Sequence, residues 1–224
     1  LANVLAESTH QISRLHAIWG LGQIAREKKN PAALENVMAA LNDADPEVRT
    51  QAAKVLGECR HAKAAEGLIG LLKSGPPRAK VIAAMALGKL GDPKALAPVA
   101  QMLRDNADKD AYLRHAGIMA LTWIAEKNFD QVMALAMDSS SSVRLAVIVA
   151  LRRLEKPEIA RFLTDEEPRL VLEAARAIND VPIPAAQPPL AGLIEKDTWK
   201  KLSPGELFAI ERFSEPKEGD GDDD

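Results

Sequence analysis

Aromatic residues are scarce in this 224-residue chain: four Phe, three Trp and one Tyr make up 4% of it. An all-β fold would draw on more aromatic and β-branched side chains, so a sandwich or barrel is disfavoured. Cysteine is nearly absent. Cys59 stands alone, which excludes an intramolecular disulfide, a CxxC zinc site and a CxxCH haem attachment within the chain. A dominant charge is missing too, since 29 Lys and Arg meet 32 Asp and Glu for a net −3. Five of those acids fall in the last seven residues, and the rest of the chain is about +2. That balance carries no electrostatic signature of a nucleic-acid binder. No run of 18 apolar residues occurs, so no membrane insertion by this segment is expected.

The parts of a catalytic site are also lacking. The serines cluster in turns and no GxSxG elbow is present. Gly20-Leu21-Gly22 follows no strand and reads as helix, not as a phosphate-cradling loop. There is no HExxH. His10 and His16 lie six apart, on different faces of a helix, and His61 and His115 are remote from them. The expectation is therefore no enzyme, no cofactor and no metal. The chain opens in helical character, Leu1-Ala2-Asn3-Val4-Leu5-Ala6, with no initiator Met and no basic-then-apolar leader. It reads as a piece of a longer protein.

What is present is alanine, leucine and a period. Hydrophobic residues make up 47% of the chain. The mix favours helices that approach closely. Arg14, Arg49, Lys80, Arg114, Arg144 and Val171 mark six corresponding positions, 35, 31, 34, 30 and 27 residues apart. Three residues after each comes Ala17, Ala52, Ala83, Gly117, Val147 or Ala174. Seven after comes Leu21, Leu56, Leu87, Leu121, Leu151 or Ile178. Offsets of three and seven share one face of a helix, with a small residue for close approach and a large one to fill the layer.

A period near thirty with one strong helix per unit requires a second helix in each gap. Those second helices read as 31–42, 62–73, 93–104, 128–137, 157–164 and 185–195. The turns carry capping chemistry: Asn42-Asp43-Ala44-Asp45-Pro46 offers an N-cap and then Pro in the first helical turn, and Pro77 and Pro168 recur at the same place. No unit can bury its apolar face alone, so stacking is obligatory. The fold expected is an all-α solenoid of about six helix-pair repeats over 1–195. A capping segment with a short helix should follow at 196–213, and then an acidic, disordered tail at 214–224.

The unit Asp45-Pro46-Glu47-Val48-Arg49, then Ala52-Ala53 and Leu56-Gly57, resembles the HEAT-like repeats named after phycobilisome lyases. A narrower resemblance lies in the strings 14–22, 110–117 and 173–180, which look like the HEAT segment of planctomycete-type membrane-associated dehydrogenase and haem-binding (c-type cytochrome) proteins. In that family a sugar-dehydrogenase-like propeller precedes the repeats and a cytochrome module follows; neither is found in this sequence. What the resemblance implies is a spacer or docking segment of an envelope or periplasmic redox protein. It also bears on the basic anchors. HEAT-like DNA glycosylases hold DNA on a concave face, so a basic ladder could meet phosphates. The favoured reading pairs these arginines with an Asp of an adjoining turn, here Asp43, Asp45 or Asp110, because acids such as Glu58, Glu126, Glu155 and Glu173 share their helices.

The remaining candidate is an apolar stripe. One residue after the anchors come Leu15, Val81, His115, Leu145 and Leu172, and five after come Trp19, Lys54, Met85, Met119, Val149 and Arg176. Offsets one and five form a line displaced from the three-and-seven face. Inner solenoid helices can be apolar nearly all round, in which case the line is core. If it lies on the concave side, Trp19, Met85, His115, Met119, Leu145 and Val149 make a partner groove with adaptable Met and Trp anchors. The function expected is a non-catalytic scaffold that docks a protein or another domain of its parent chain. The alternative is a concave-face binder of nucleic acid or a tetrapyrrole in an enzyme-associated role.

Overall fold

The computed structural model describes residues 1–195, and within them every regular element is helical. The expected cap at 196–213 and tail at 214–224 lie outside the described residues. The chain packs as two compact units, Leu1–Ala146 and Val147–Asp224.

The first unit begins with a short helix α1 (Ala2–Glu7) and continues with α2 (Gln11–Glu27), α3 (Ala33–Ala39), α4 (Pro46–Glu58), α5 (Ala65–Ser74), α6 (Pro77–Leu90), α7 (Leu96–Asn106), α8 (Ala111–Ala125) and α9 (Phe129–Ala134). Helix α10 (Ser141–Arg153) crosses the boundary between the units. The anchor-bearing helices α2, α4, α6 and α8 pack side by side in that order, and the shorter helices α3, α5, α7 and α9 pack against them. Each short helix is entered or left by a 3-10 turn: Ala40–Asn42, Ala62–Ala64, Pro93–Ala95 and Leu135–Met137.

Local chemistry fixes the helix ends. The Asp45 carboxylate accepts the Glu47 N–H at 2.8 Å and caps α4, with Pro46 in its first turn. Asp110 caps α8 by accepting from the backbone N–H groups of Tyr112 at 2.7 Å and Leu113 at 3.2 Å. Helix α6 closes on Gly91 at φ 70°, whose N–H reaches the Leu87 and Gly88 carbonyls. The three-and-seven face is core: Ala17, Ala52, Ala83, Leu21, Leu56, Leu87 and Leu121 are all buried.

Close approach between anchor helices is set by glycine. A Cβ on Gly22 would fall 2.5 Å from Val55 Cγ1, one on Gly57 would fall 2.7 Å from Ala86 Cα, and one on Gly88 would fall 2.6 Å from Ala120 Cα. Each glycine stands eight after its anchor and meets the residue six after the next anchor. In the fourth repeat Thr122 takes that place, buried, its hydroxyl donating to the Ile118 carbonyl at 2.8 Å.

In the second unit α10 ends, a 3-10 segment runs over Pro157–Thr164, α11 (Pro168–Asp180) packs on it, and α12 (Gln187–Glu195) follows a 3-10 turn at Pro184–Ala186. The segment at 157–164 is 3-10 throughout and not the α-helix implied by the repeat. Ile159, Phe162 and Leu163 are buried in it. Val147, Leu151, Ala174 and Ile178 are buried, as their offsets require. Arg152 and Asp180 form an ion pair at 3.2 Å.

Candidate docking surface

The four arginine anchors hold turns. Arg14 donates from Nη1 to both Asp43 carboxylate oxygens, at 2.8 and 2.7 Å, and its Nη2 lies 3.6 Å from Asp45. The other three arginine anchors reach backbone carbonyls. Arg49 donates to Asp43 O at 2.6 Å and Ala44 O at 3.0 Å, Arg114 to Asp108 O at 3.4 Å, and Arg144 to Asp138 O at 2.8 Å. The pairing expected of Asp43 and Asp45 is present. Asp110 has another task, because its carboxylate is occupied by the N-terminal amides of α8. These guanidiniums are therefore directed at turn carbonyls and carboxylates within the fold.

A further tie went unread in the sequence. Arg104 on α7 donates from Nε to Asp138 Oδ1 at 3.2 Å and from Nη2 to Oδ2, in the fork-to-fork arrangement of a bidentate pair. Asp138 Oδ1 also accepts the Ser140 N–H at 2.9 Å. The Arg104 hydrogen bond, opposed by burial and helped by Ser140, holds the Asp138 carboxyl below the usual carboxylate range. The same bond raises the Arg104 guanidinium. No local motif announces this pair, whose partners lie 34 residues apart.

With the three-and-seven face buried and the anchors tied to turns, the outward face of the anchor helices falls at offsets one, two, five and nine. Trp19 is the most open large hydrophobic side chain on it, 43% exposed. Its indole N–H donates to Gln51 Oε1 on α4 at 3.0 Å, and the His16 ring stands 5.1 Å away, centroid to centroid. Met85 and Met119 are half-buried and His115 is exposed, as are Leu15 and Val81 half-buried. Trp123, half-buried at offset nine of α8, has the Lys89 ammonium 5.9 Å from its ring centroid. Leu145, at 7% exposure, is buried. Val149 belongs to the second unit and is half-buried there. The side-by-side packing of α2, α4, α6 and α8 thus puts Trp19, Met85, His115 and Met119 on one face, with exposed Lys54 between Trp19 and Met85.

The model of the HEAT repeats family matches residues 1–79, 34–121 and 66–152. The chain belongs to the HEAT repeat family. Its fold is the all-α solenoid of that family. This HEAT repeat chain is similar to the complex of CpcE and CpcF of phycocyanin lyase from Nostoc sp. PCC7120, at 21% identity over 96% of this chain and 92% of that one, with a TM-score of 0.53. It is also similar to a designed armadillo repeat protein, at 19% identity over 96% and 100% of the two chains, with a TM-score of 0.50. A second designed armadillo repeat protein, in complex with the peptide (KR)4, matches at 18% identity over 96% and 99%, again at 0.50. At these identities the likeness is one of fold. No curated protein matches the sequence. Among the described residues of this HEAT repeat chain, no helix is long and apolar enough to cross a membrane. No group of three or more His, Cys, Asp and Glu among them is arranged to hold a metal ion.

Proposed function

We propose that this HEAT repeat segment is a docking scaffold, and that the outward face of α2, α4, α6 and α8 takes a protein or another domain of the parent chain. The observation that carries the reading is Trp19, a tryptophan 43% exposed on a face that also offers Met85 and Met119. Trp anchors are enriched where proteins bind proteins, and Met adapts its shape to a partner. His115 and Lys54 give the face a polar border. The peptide-bound armadillo repeat protein of like fold supports the idea that a helical stack of this kind accommodates polypeptide. The basic anchors speak against a phosphate ladder, since Arg14, Arg49, Arg114 and Arg144 already hold turns.

The strings that resemble the planctomycete-type segment support a parent among envelope redox proteins. Recovering the full reading frame tests that placement directly, because a propeller and a CxxCH module would flank the repeats. The flanking domains, expressed separately, are then the partners to titrate into this chain by calorimetry. Met119→Asp puts a charge on the proposed face and should abolish heat of binding while far-UV circular dichroism keeps its helical signal. Binding that survives Met119→Asp and Trp19→Ala alike would refute the face. Parallel titrations with a bilin and with duplex DNA test the other reading.

A further inference from the structure

The third repeat departs from the arginine pattern. Its anchor is Lys80, and the residue six before it is Ser74, where the second, fourth and fifth repeats carry Asp43, Asp108 and Asp138. The turn Ser74-Gly75-Pro76-Pro77 offers no carboxylate at all. Half-buried Lys80 forms no hydrogen bond or ion pair through its side chain with any described residue. It lines a cavity of about 290 Å³ among α5, α6, α7 and α8, together with Lys73 and Lys109, which are likewise without a partner among the described residues. The cavity's single carboxylate is Asp105, which accepts the Gln101 amide at 2.8 Å. Three ammoniums against one carboxylate leave the lining positive, and Met102 and Leu113 give it an apolar side. Lys80 thus brings a charge to the lining that no described residue neutralises by a hydrogen bond or ion pair.

We propose that this cavity is a second binding site, separate from the outward face, and that it takes an acidic stretch of polypeptide. A carboxylate side chain sits among the ammoniums of Lys73, Lys80 and Lys109, and an aliphatic neighbour on the same strand of peptide packs on Met102 and Leu113. Peptide fits better than nucleic acid. No aromatic ring lines the cavity to stack a base, and no arginine fork is present to grip a phosphate. The site stands whether or not the outward face docks a partner.

A short fluorescein-labelled peptide of repeating Glu-Leu-Asp, titrated with the full chain and read by fluorescence anisotropy, tests the site. Saturable binding is expected, weakened by added salt as the charges are screened. Lys80→Met should lower affinity roughly tenfold, the fold-change of one charge-assisted hydrogen bond. Lys28→Met, which removes an exposed charge just after α2 and outside the cavity, should leave affinity unchanged. Lys73→Met and Lys109→Met, at exposed positions, repeat the measurement free of any folding defect at Lys80. The proposal is overturned by absence of saturable binding, by equal loss in Lys28→Met, or by unchanged binding in the three cavity variants. It is also overturned if a DNA oligonucleotide displaces the peptide at lower concentration than unlabelled peptide and loses affinity in the same variants.

Discussion

Two Gly→Ala substitutions of the same chemistry should move stability in opposite directions. Gly57 and Gly70 both lie within helices, α4 and α5. Alanine improves intrinsic helix propensity at either site by about 1 kcal/mol, so this part of the effect is common to both. The surroundings differ. A Cβ on Gly70 meets nothing within 4 Å. A Cβ on Gly57 would fall 2.6 Å from Ala86 Cβ and 2.7 Å from Ala86 Cα, well inside the ~3.5–4.0 Å at which carbon atoms rest. One of those contacts is backbone, so relief requires α6 to move away from α4 by roughly 1 Å, and overpacking of this kind costs about 1–3 kcal/mol. Gly70→Ala should therefore stabilise the protein by roughly 0.5–1 kcal/mol, and Gly57→Ala should destabilise it by up to about 2 kcal/mol. Because the propensity gain cancels, the difference between the variants isolates the steric term. Urea melts followed by far-UV circular dichroism measure it, as midpoint shifts at unchanged slope. A Gly57→Ala protein as stable as Gly70→Ala would refute the glycine-spaced contact between α4 and α6.

Leu56→Ala and Leu87→Ala each empty a position with no solvent exposure and should cost about 2–5 kcal/mol in the same melts; wild-type midpoints would mean that the three-and-seven face is not core. The lowered Asp138 carboxyl sets a pH dependence. Its pKa is depressed in the folded chain, so its contribution is fully present above the unfolded value near ~3.9 and is lost as pH falls through the folded value. Asp138→Asn should be less stable than wild type at neutral pH, and the two should converge as acid is added; a constant gap down to low pH would refute it.

The repeat was legible because its determinants are local. Arg49, Ala52 and Leu56 sit on one helix, and Asp45 with Pro46 starts it, so spacing alone placed the buried face and the turn. Second helices were legible as existing in each gap. The 3-10 winding of Pro157–Thr164 was not, because the buried Ile159, Phe162 and Leu163 have a spacing that fits an α-helix as well. Pairings between repeats also escaped. Arg104 meets Asp138, and Gly57 meets Ala86, only once the layers are in register, although Gly22, Gly57 and Gly88 keep the spacing of their anchors. The stripe illustrates the same limit. Leu15, Val81 and Leu145 share an offset, yet the first two are half-buried and Leu145 is buried, since accessibility comes from neighbours and not from position within a helix.

The glycine contacts make the units interchangeable in a particular sense. Anchors in the first four repeats are 35, 31 and 34 residues apart, yet the same approach of a glycine to the residue six after the next anchor recurs at each junction. Differences in unit length are absorbed in the shorter helices and turns, away from the joint. The second and third units therefore present two mating ends, the residue six after the anchor (Val55 or Ala86) toward the preceding unit and a glycine eight after it toward the next. A unit that brings both can be duplicated or excised without redesigning its neighbours, and lengthening by gene duplication needs only that grammar to be kept. Thr122 stands where the glycine would be in the fourth repeat, so the glycine-marked joints are those made by α2, α4 and α6.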